Sequence, residues 1–355
     1  MGKKRKASTG KEIKFRDLKD KRVARVGKIR LQPRDLEYFK FLTTCNAFPS
    51  VPSVRLFFPT DGRVDYLRPG RNRLFRLDAK DYLHSLYYSG PEYGRARKKT
   101  WGLLYYLGAK GARAVDYHGV LPRRSKNDLW LYYWLGCLLE DLCLNYGLDL
   151  SVWMPSAVYK EKYGLEKHAP IHGVLWGDDG EHFVYLLKGY LAGSDVGRVF
   201  NFSERRVLRK NFYFILTPRE CFKHNCGVLS PRSTFLTYLL TYEQAGEVIT
   251  RLMVDRHYYL NRLLERVGGD KILLNDTGEL FRYHTYIDGK KAYLLDLVTG
   301  DVKLFRDMLD YRSRTPVYVL CWPEQRSVIP PDRGYVVFEI ERGERRVELY
   351  ASASR

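Results

Sequence analysis

In RNRLFRLDAKDYL, residues 71–83, leucines at 74, 77 and 83 recur close to helical spacing, with Arg71 and Arg73 ahead of the first and Arg76 between the first two. Wound into a helix, the segment turns its leucines inward and its arginines to the more exposed side. Upstream, LQPRDLEYFKFLTTC from Leu31 places Leu36, Phe39, Phe41 and Leu42 near the same period, with Pro33 as a first-turn residue. A shorter helix is expected from Pro52 to Phe58 in VPSVRLFF. Downstream, LHSLYYS and TWGLLYYL read as strands on either side of GPEYGRARKK, a loop with Arg95, Arg97, Lys98 and Lys99 at its tip. Helix, helix, arginine-lined helix, strand, cationic loop, strand is the order of a winged helix, expected over residues 31–125. An arginine-lined helix entering a major groove meets phosphates and the paired acceptors of guanine, which suit a planar guanidinium fork. The candidate DNA-binding set is therefore Arg71, Arg73, Arg76, Arg95, Arg97, Lys98 and Lys99.

The charge of the chain points the same way once it is divided along the sequence. Of a net +20 over 355 residues, residues 1–30 hold 13 Lys/Arg against 3 Asp/Glu, and residues 31–125 hold 17 against 8. The remaining residues are nearly balanced, 31 against 30. A basic end joined to an ordinary globular body is what a polyanion-binding protein shows, because neutralised phosphates release counterions. Residues 1–30, beginning MGKKRKASTGK, have little apolar periodicity and read as a flexible arm that tracks phosphates. The expected principal partner is double-stranded DNA.

The succession QPRDLEYFKFL, VPSVRLFF, NRLFRLDAKDYL, wing and LYYLGAKGARAV, over about residues 31–117, resembles the winged-helix half of the replication-relaxation family. That resemblance implies a protein of plasmids and other mobile elements, engaged in replication or relaxation of element DNA, with replication or mobilisation proteins as further partners.

The body reads as α+β. After Pro122, KNDLWLYYWLGCLLEDLCLNYG is expected to be a long, mostly buried helix, followed by strands in LSVWMP, APIHGVLWG, HFVYLLKGYL and, past a polar connection, KNFYFILTP. The order recurs with a helix around YYLNRLLERV, strands KILLN, LFRYHTYI and KAYLLDLV, helix DVKLFRDMLDYR and strand PVYVLCWP. Helix, three strands, connection, strand is the minimal core of PD-(D/E)xK nucleases. A degenerate αβββαβ core is expected at 126–220, a second at 221–322, and a C-terminal hairpin around Arg342-Gly343 at 323–355, which could close a sheet edge or pair with a second chain as a homodimer.

A nuclease of this fold needs two carboxylates and a lysine around Mg²⁺, one acid on the second strand and an acid-x-lysine on the third. Neither core supplies the set. The first offers His172 near the place of the first acid and Leu186-Leu187-Lys188 on its third strand, a lysine without its carboxylate. The second offers Glu279 and then Asp296-Leu297-Val298, a carboxylate without its lysine. Asp301-Val302-Lys303 has the right letters, but after Gly300 it is expected to start a helix, with Asp301 as cap. Asp288-Gly289 is expected to make a hairpin turn. The body is therefore read as a platform without full catalytic equipment and without a cofactor. Glu279 and Asp296 are the catalytic candidates, and Mg²⁺ the cofactor, of the nuclease or relaxase alternative; a repressor of the element is another.

Two weaker constellations complete the reading. His168 and His172 on a strand, with Tyr238 and Tyr242 on a helix, carry the residue types of a relaxase centre, but histidines four apart on a strand are separated by about 13 Å. Cys221-Phe-Lys-His224-Asn-Cys226 has no second ligand pair at zinc-finger spacing. Six scattered cysteines without a CxxC pair suit a reducing compartment, and no apolar run approaches the roughly 18 residues of a membrane span. A cytoplasmic protein without membrane association is expected.

Overall fold

The computed structural model describes residues 28–59, 67–91, 99–119, 128–178, 180–206, 211–230, 236–275, 280–312 and 314–340. It is a mixed α and β chain that divides into two compact units, one carrying α1 to α4, with β2 as far as Tyr88 and β3 from Gly102, and the other α5 to β13. Among the described residues no helix is long and apolar enough to cross a membrane.

The first unit runs α1 (Pro33–Cys45), β1 (Ala47–Pro49), α2 (Ser50–Phe57), α3 (Leu67–Ala79), β2 (Leu83–Pro91), β3 (Lys99–Leu107) and α4 (Ala109–Ala114). Pro33 stands in the first turn of α1, where a missing N–H is harmless, and Gln32 and Asp35 close a reciprocal capping box. Tyr38, Phe39 and Leu42 of α1, Val54 of α2 and Leu74 and Leu77 of α3 are buried together with Phe58 and Leu104. Each large apolar side chain so buried contributes about 1.5–3 kcal/mol. The Tyr38 hydroxyl stays hydrogen-bonded inside, 2.8 Å from Ser53 Oγ. The sheet order is β1-β3-β2, with Ala47 opposite Tyr106 and Pro49 opposite Leu104. Three residues ending in a proline carry no alternation, which is why β1 has no signal in the sequence.

The second unit contains two five-stranded sheets of one topology. In the first, β4 (Trp153–Pro155), β5 (Gly173–Gly177) and β6 (Gly180–Leu186) form an antiparallel meander, and β7 (Tyr213–Thr217) and β8 (Thr237–Thr241) continue it in parallel. In the second, β9 (Leu273–Leu274), β10 (Tyr283–Ile287) and β11 (Lys290–Asp296) form the meander, and β12 (Val317–Cys321) and β13 (Val336–Glu339) the parallel pair. Between the third and fourth strands of each sheet is a crossover helix, α7 (Gly193–Arg206) in one and α11 (Val302–Asp310) in the other. Helices α5 (Leu129–Leu144), α6 (Ser156–Lys162), α8 (Phe222–Leu229), α9 (Tyr242–Val254) and α10 (Tyr258–Val267) complete the unit. One core spans both sheets, joining Phe183, Tyr213, Ile215 and Leu239 to Leu295, Val302, Val317 and Val319.

Several expectations are corrected here. Each sheet has a fifth strand, so the first extends to Thr241 rather than ending at 220, and the second to Glu339 rather than 322. Tyr238 lies in β8, not on a helix, and Tyr242 opens α9. The C-terminal segment enters the sheet as the parallel strand β13, Tyr318 opposite Val336, while Arg342-Gly343 lies outside the described residues. Helix α5 is largely half-buried, with Leu129, Gly136, Leu138, Leu139 and Leu142 inside. Asp288-Gly289 does turn the β10–β11 hairpin, both residues at positive φ (49° and 73°), the geometry a two-residue loop requires.

Candidate functional site

Helix α3 is fixed from below by polar groups that the apolar period does not reveal. Arg73 donates from Nε to Asp35 Oδ1 at 3.0 Å, from Nη2 to Asp35 Oδ2, and from Nη2 to the Arg30 carbonyl at 2.8 Å. Asp35 is fully buried and the Arg73 side chain nearly so. At the other end, buried Asp78 accepts from Ser85 Oγ at 2.8 Å and Ser85 N at 3.2 Å, tying α3 to β2. The expectation that Arg73 sits on the exposed side is therefore corrected: a guanidinium at the flank of the helix finds a buried carboxylate 38 residues away, a tertiary pairing that spacing does not encode. Arg71, Asn72 and Arg76 are exposed, the two arginines as expected, and the helix starts four residues earlier than residue 71, which adds Arg68 to the same face. Pro69 in the first turn was the available signal for that earlier start. Of the cationic loop, Arg95, Arg97 and Lys98 lie outside the described residues, and Lys99 begins β3.

The two sheets can be superposed by register. Leu186 faces Leu216 across β6–β7, and Asp296 faces Leu320 across β11–β12. The next residue donates in each case to the same partner carbonyl, Leu187 to Leu216 at 2.7 Å and Leu297 to Leu320 at 2.9 Å. Asp296 thus occupies the position of Leu186, and Val298 that of Lys188, so the two halves of an acid-x-lysine pattern stand in different sheets.

Asp296 closes β11 at a cleft of about 440 Å³ that also receives Tyr238, Arg256, Arg282, Tyr283, Asp301 and Lys303. Burial pushes the Asp296 carboxyl up to about 7, with nearby Asp301 adding to it and backbone N–H groups of Thr299 and Val298 opposing. Asp301 caps α11, accepting from Lys303 N at 2.9 Å. Burial raises its carboxyl to about 6, against the Lys303 backbone bond and ammonium, and Asp307 adds to the rise. Lys303 in turn lies 3.9 Å from Asp307. Glu279 lies outside the described residues, among which no three acids, histidines or cysteines are grouped to hold a metal ion. Arg256, in the short link between α9 and α10, and Arg282, just before β10, have no periodic signature, so sequence reasoning passes over both.

A carboxyl held above its unfolded value keeps its proton longer in the native chain. The stability it contributes is complete below about pH 4 and is lost as pH rises towards 7. Asp296 accounts for roughly 4 kcal/mol of this slope at most, and Asp301 acts in the same direction. Asp296→Asn is expected to flatten the fall in urea midpoint between pH 5 and pH 8; an unchanged slope would mean that Asp296 ionises without penalty.

The remaining constellations separate in space. His168 is exposed in a turn, and His172 lies just before β5 with Nδ1 accepting from Leu186 N at 2.9 Å. Burial, with Lys160 nearby, depresses the His172 imidazole to about 3, so it is neutral and serves the backbone. Tyr238 is buried and its phenol held well above the ordinary value by burial, and Tyr242 donates to the Leu187 carbonyl. Neither phenol is presented as an exposed nucleophile beside a histidine pair. Cys221 and Cys226 turn into the core while His224 faces outward. Comparison with protein-family models, with curated proteins and with solved structures finds no match to this chain.

Proposed function

We propose that this chain is a DNA-binding protein of a plasmid or mobile element, acting in replication or mobilisation, whose first unit works as a winged helix on duplex DNA. The observation that carries the reading is the division of labour on α3. Its inward side is locked by Arg73–Asp35 and Asp78–Ser85, and its outward side presents Arg68, Arg71, Asn72 and Arg76. Three cations within about three turns of one helix face repel one another in water and are favoured against a polyanion. The basic segment ahead of α1 adds affinity without sequence preference. The two nuclease-like sheets serve in this reading as a platform for DNA or replication proteins.

Replacing Arg68, Arg71 and Arg76 by alanine is expected to weaken duplex binding on the order of 100-fold and to reduce the salt dependence by about three counterions. Fluorescence anisotropy across a salt series on the host element's DNA measures both. An unaltered slope would remove α3 from the interface.

A second reading, a Mg²⁺-dependent DNA nuclease, is favoured by Asp296 and Asp301 sharing one cleft with Lys303. Nicking of supercoiled plasmid that requires Mg²⁺ and disappears in Asp296→Ala would make the body an enzyme.

A further inference from the structure

We infer that the cleft beside β10 and β11 is a binding site for a nucleotide, taken either as a free nucleoside phosphate or as the unpaired end of a DNA strand. All of its residues lie in the second unit, so the inference stands apart from the reading of α3. At about 440 Å³ the cleft falls within the range of roughly 300–1,000 Å³ typical of small-molecule sites.

Its lining combines three kinds of group that one ligand class satisfies together. Six leucines and the rings of Tyr238 and Tyr283 supply apolar and aromatic wall, the surface on which a base stacks irrespective of its identity. Arg256, Arg282 and Lys303 supply positive charge, that of Lys303 offset by Asp307, which also lines the cleft and lies 3.9 Å from it. The Arg256 guanidinium lies 4.6 Å from the centre of the Phe212 ring and that of Arg282 lies 5.3 Å from the centre of the Tyr283 ring. Guanidinium donors lie in the plane of the group, so packing of Arg282 on a ring face does not consume its donors. Asp296, buried where β11 ends, supplies an acceptor for the N–H groups of a base. A simple anion would be repelled by Asp296 and Asp301, and a simple cation by the two arginines. A ligand with a phosphate at one end and a planar, donor-bearing ring at the other meets both.

The test uses the full chain and two photoprobes, 8-azidoadenosine triphosphate and a single-stranded oligonucleotide ending in 5-iododeoxyuridine, with labelled peptides mapped by mass spectrometry. Label on the peptides of Tyr238 or Tyr283 is expected, reduced about tenfold in Arg282→Ala and further in the Arg256→Ala, Arg282→Ala double variant. Arg282 is exposed, so its single variant tests the site without disturbing the core. Duplex binding through α3 should be unchanged in Arg282→Ala, which separates failure of the cleft from failure of the winged helix. Labelling by the triphosphate alone identifies a free nucleotide as ligand, labelling by the oligonucleotide alone identifies a strand end, and labelling by both supports the shared chemistry. Label confined to other peptides, or label in the cleft that survives loss of both arginines, would overturn the inference.

Discussion

Gly300→Ala is expected to destabilise the second unit by about 3–5 kcal/mol. Gly300 lies in the turn between β11 and α11 at φ 71°, where an L side chain meets its own backbone at a cost of about 1–2 kcal/mol. A Cβ there would also lie 2.1 Å from the Leu239 carbonyl oxygen. That oxygen belongs to the backbone of β8 and cannot rotate aside. Relief requires the turn and the strand to part, which breaks the 2.8 Å bond from Leu239 N to Gly300 O and the bridge between Tyr238 and Asp301. This seam ties one sheet to the other over a shared core, so strain there is felt by both. Gly289 provides the control: its φ is similar, 73°, but no heavy atom lies within 4 Å of the added carbon. Gly289→Ala should lose only about 1 kcal/mol in urea unfolding. Equal losses at the two positions would show that backbone conformation, and not the sheet-to-sheet contact, sets the penalty.

Arg73→Ala is expected to destabilise the first unit by about 3–5 kcal/mol, because it leaves the fully buried Asp35 carboxylate without its cation. The neighbouring Arg71→Ala, at an exposed position, should change stability by less than about 0.5 kcal/mol. Arg73→Lys should rescue little, since an ammonium cannot reproduce the two-pronged contact with both carboxylate oxygens. Asp35→Asn combined with Arg73→Met should recover most of the loss, because it removes the buried charge and keeps an acceptor for Gln32 N, now 2.7 Å from Asp35 Oδ2. Hydrogen exchange read on peptides of α1 and α3 in the full chain separates these outcomes. Should Arg73→Ala leave protection intact and yet abolish DNA binding, Arg73 would be a contact residue after all and its structural role would be wrong.

How far the sequence could be read depended on whether a feature is local. Periodic segments were legible: α1 and α3 from their leucine and phenylalanine spacing, β6, β7, β11 and β12 from apolar runs, and the β10–β11 turn from Asp288-Gly289. Both sheets of the second unit were visible as one repeated order of elements. Strand β1 was not, because three residues are too few to show a period of two; the β13 segment was read as half of a hairpin, and its parallel pairing with β12 was not legible because that partner lies across an irregular connection.

The site followed the same rule. Asp296 and the exposed Arg71 and Arg76 could be named from position alone. Arg256 and Arg282 could not, since each lies beside an element end, and what brings them to Asp296 is the packing of α9, α10 and β10. The sequence by itself determined that the front of the chain is basic, that a helix there carries arginines, and that the body repeats one α/β order, because charge and periodicity are additive along the chain. Only the tertiary structure decided that Arg73 is withdrawn into an ion pair with Asp35, that Asp296 and Lys188 stand on different sheets at positions two residues apart in register, and that acids, arginines and tyrosines from separate elements share one cleft. Those outcomes depend on burial and on contacts between residues far apart in sequence, where the partner that lowers the free energy of a buried charge is chosen by the fold.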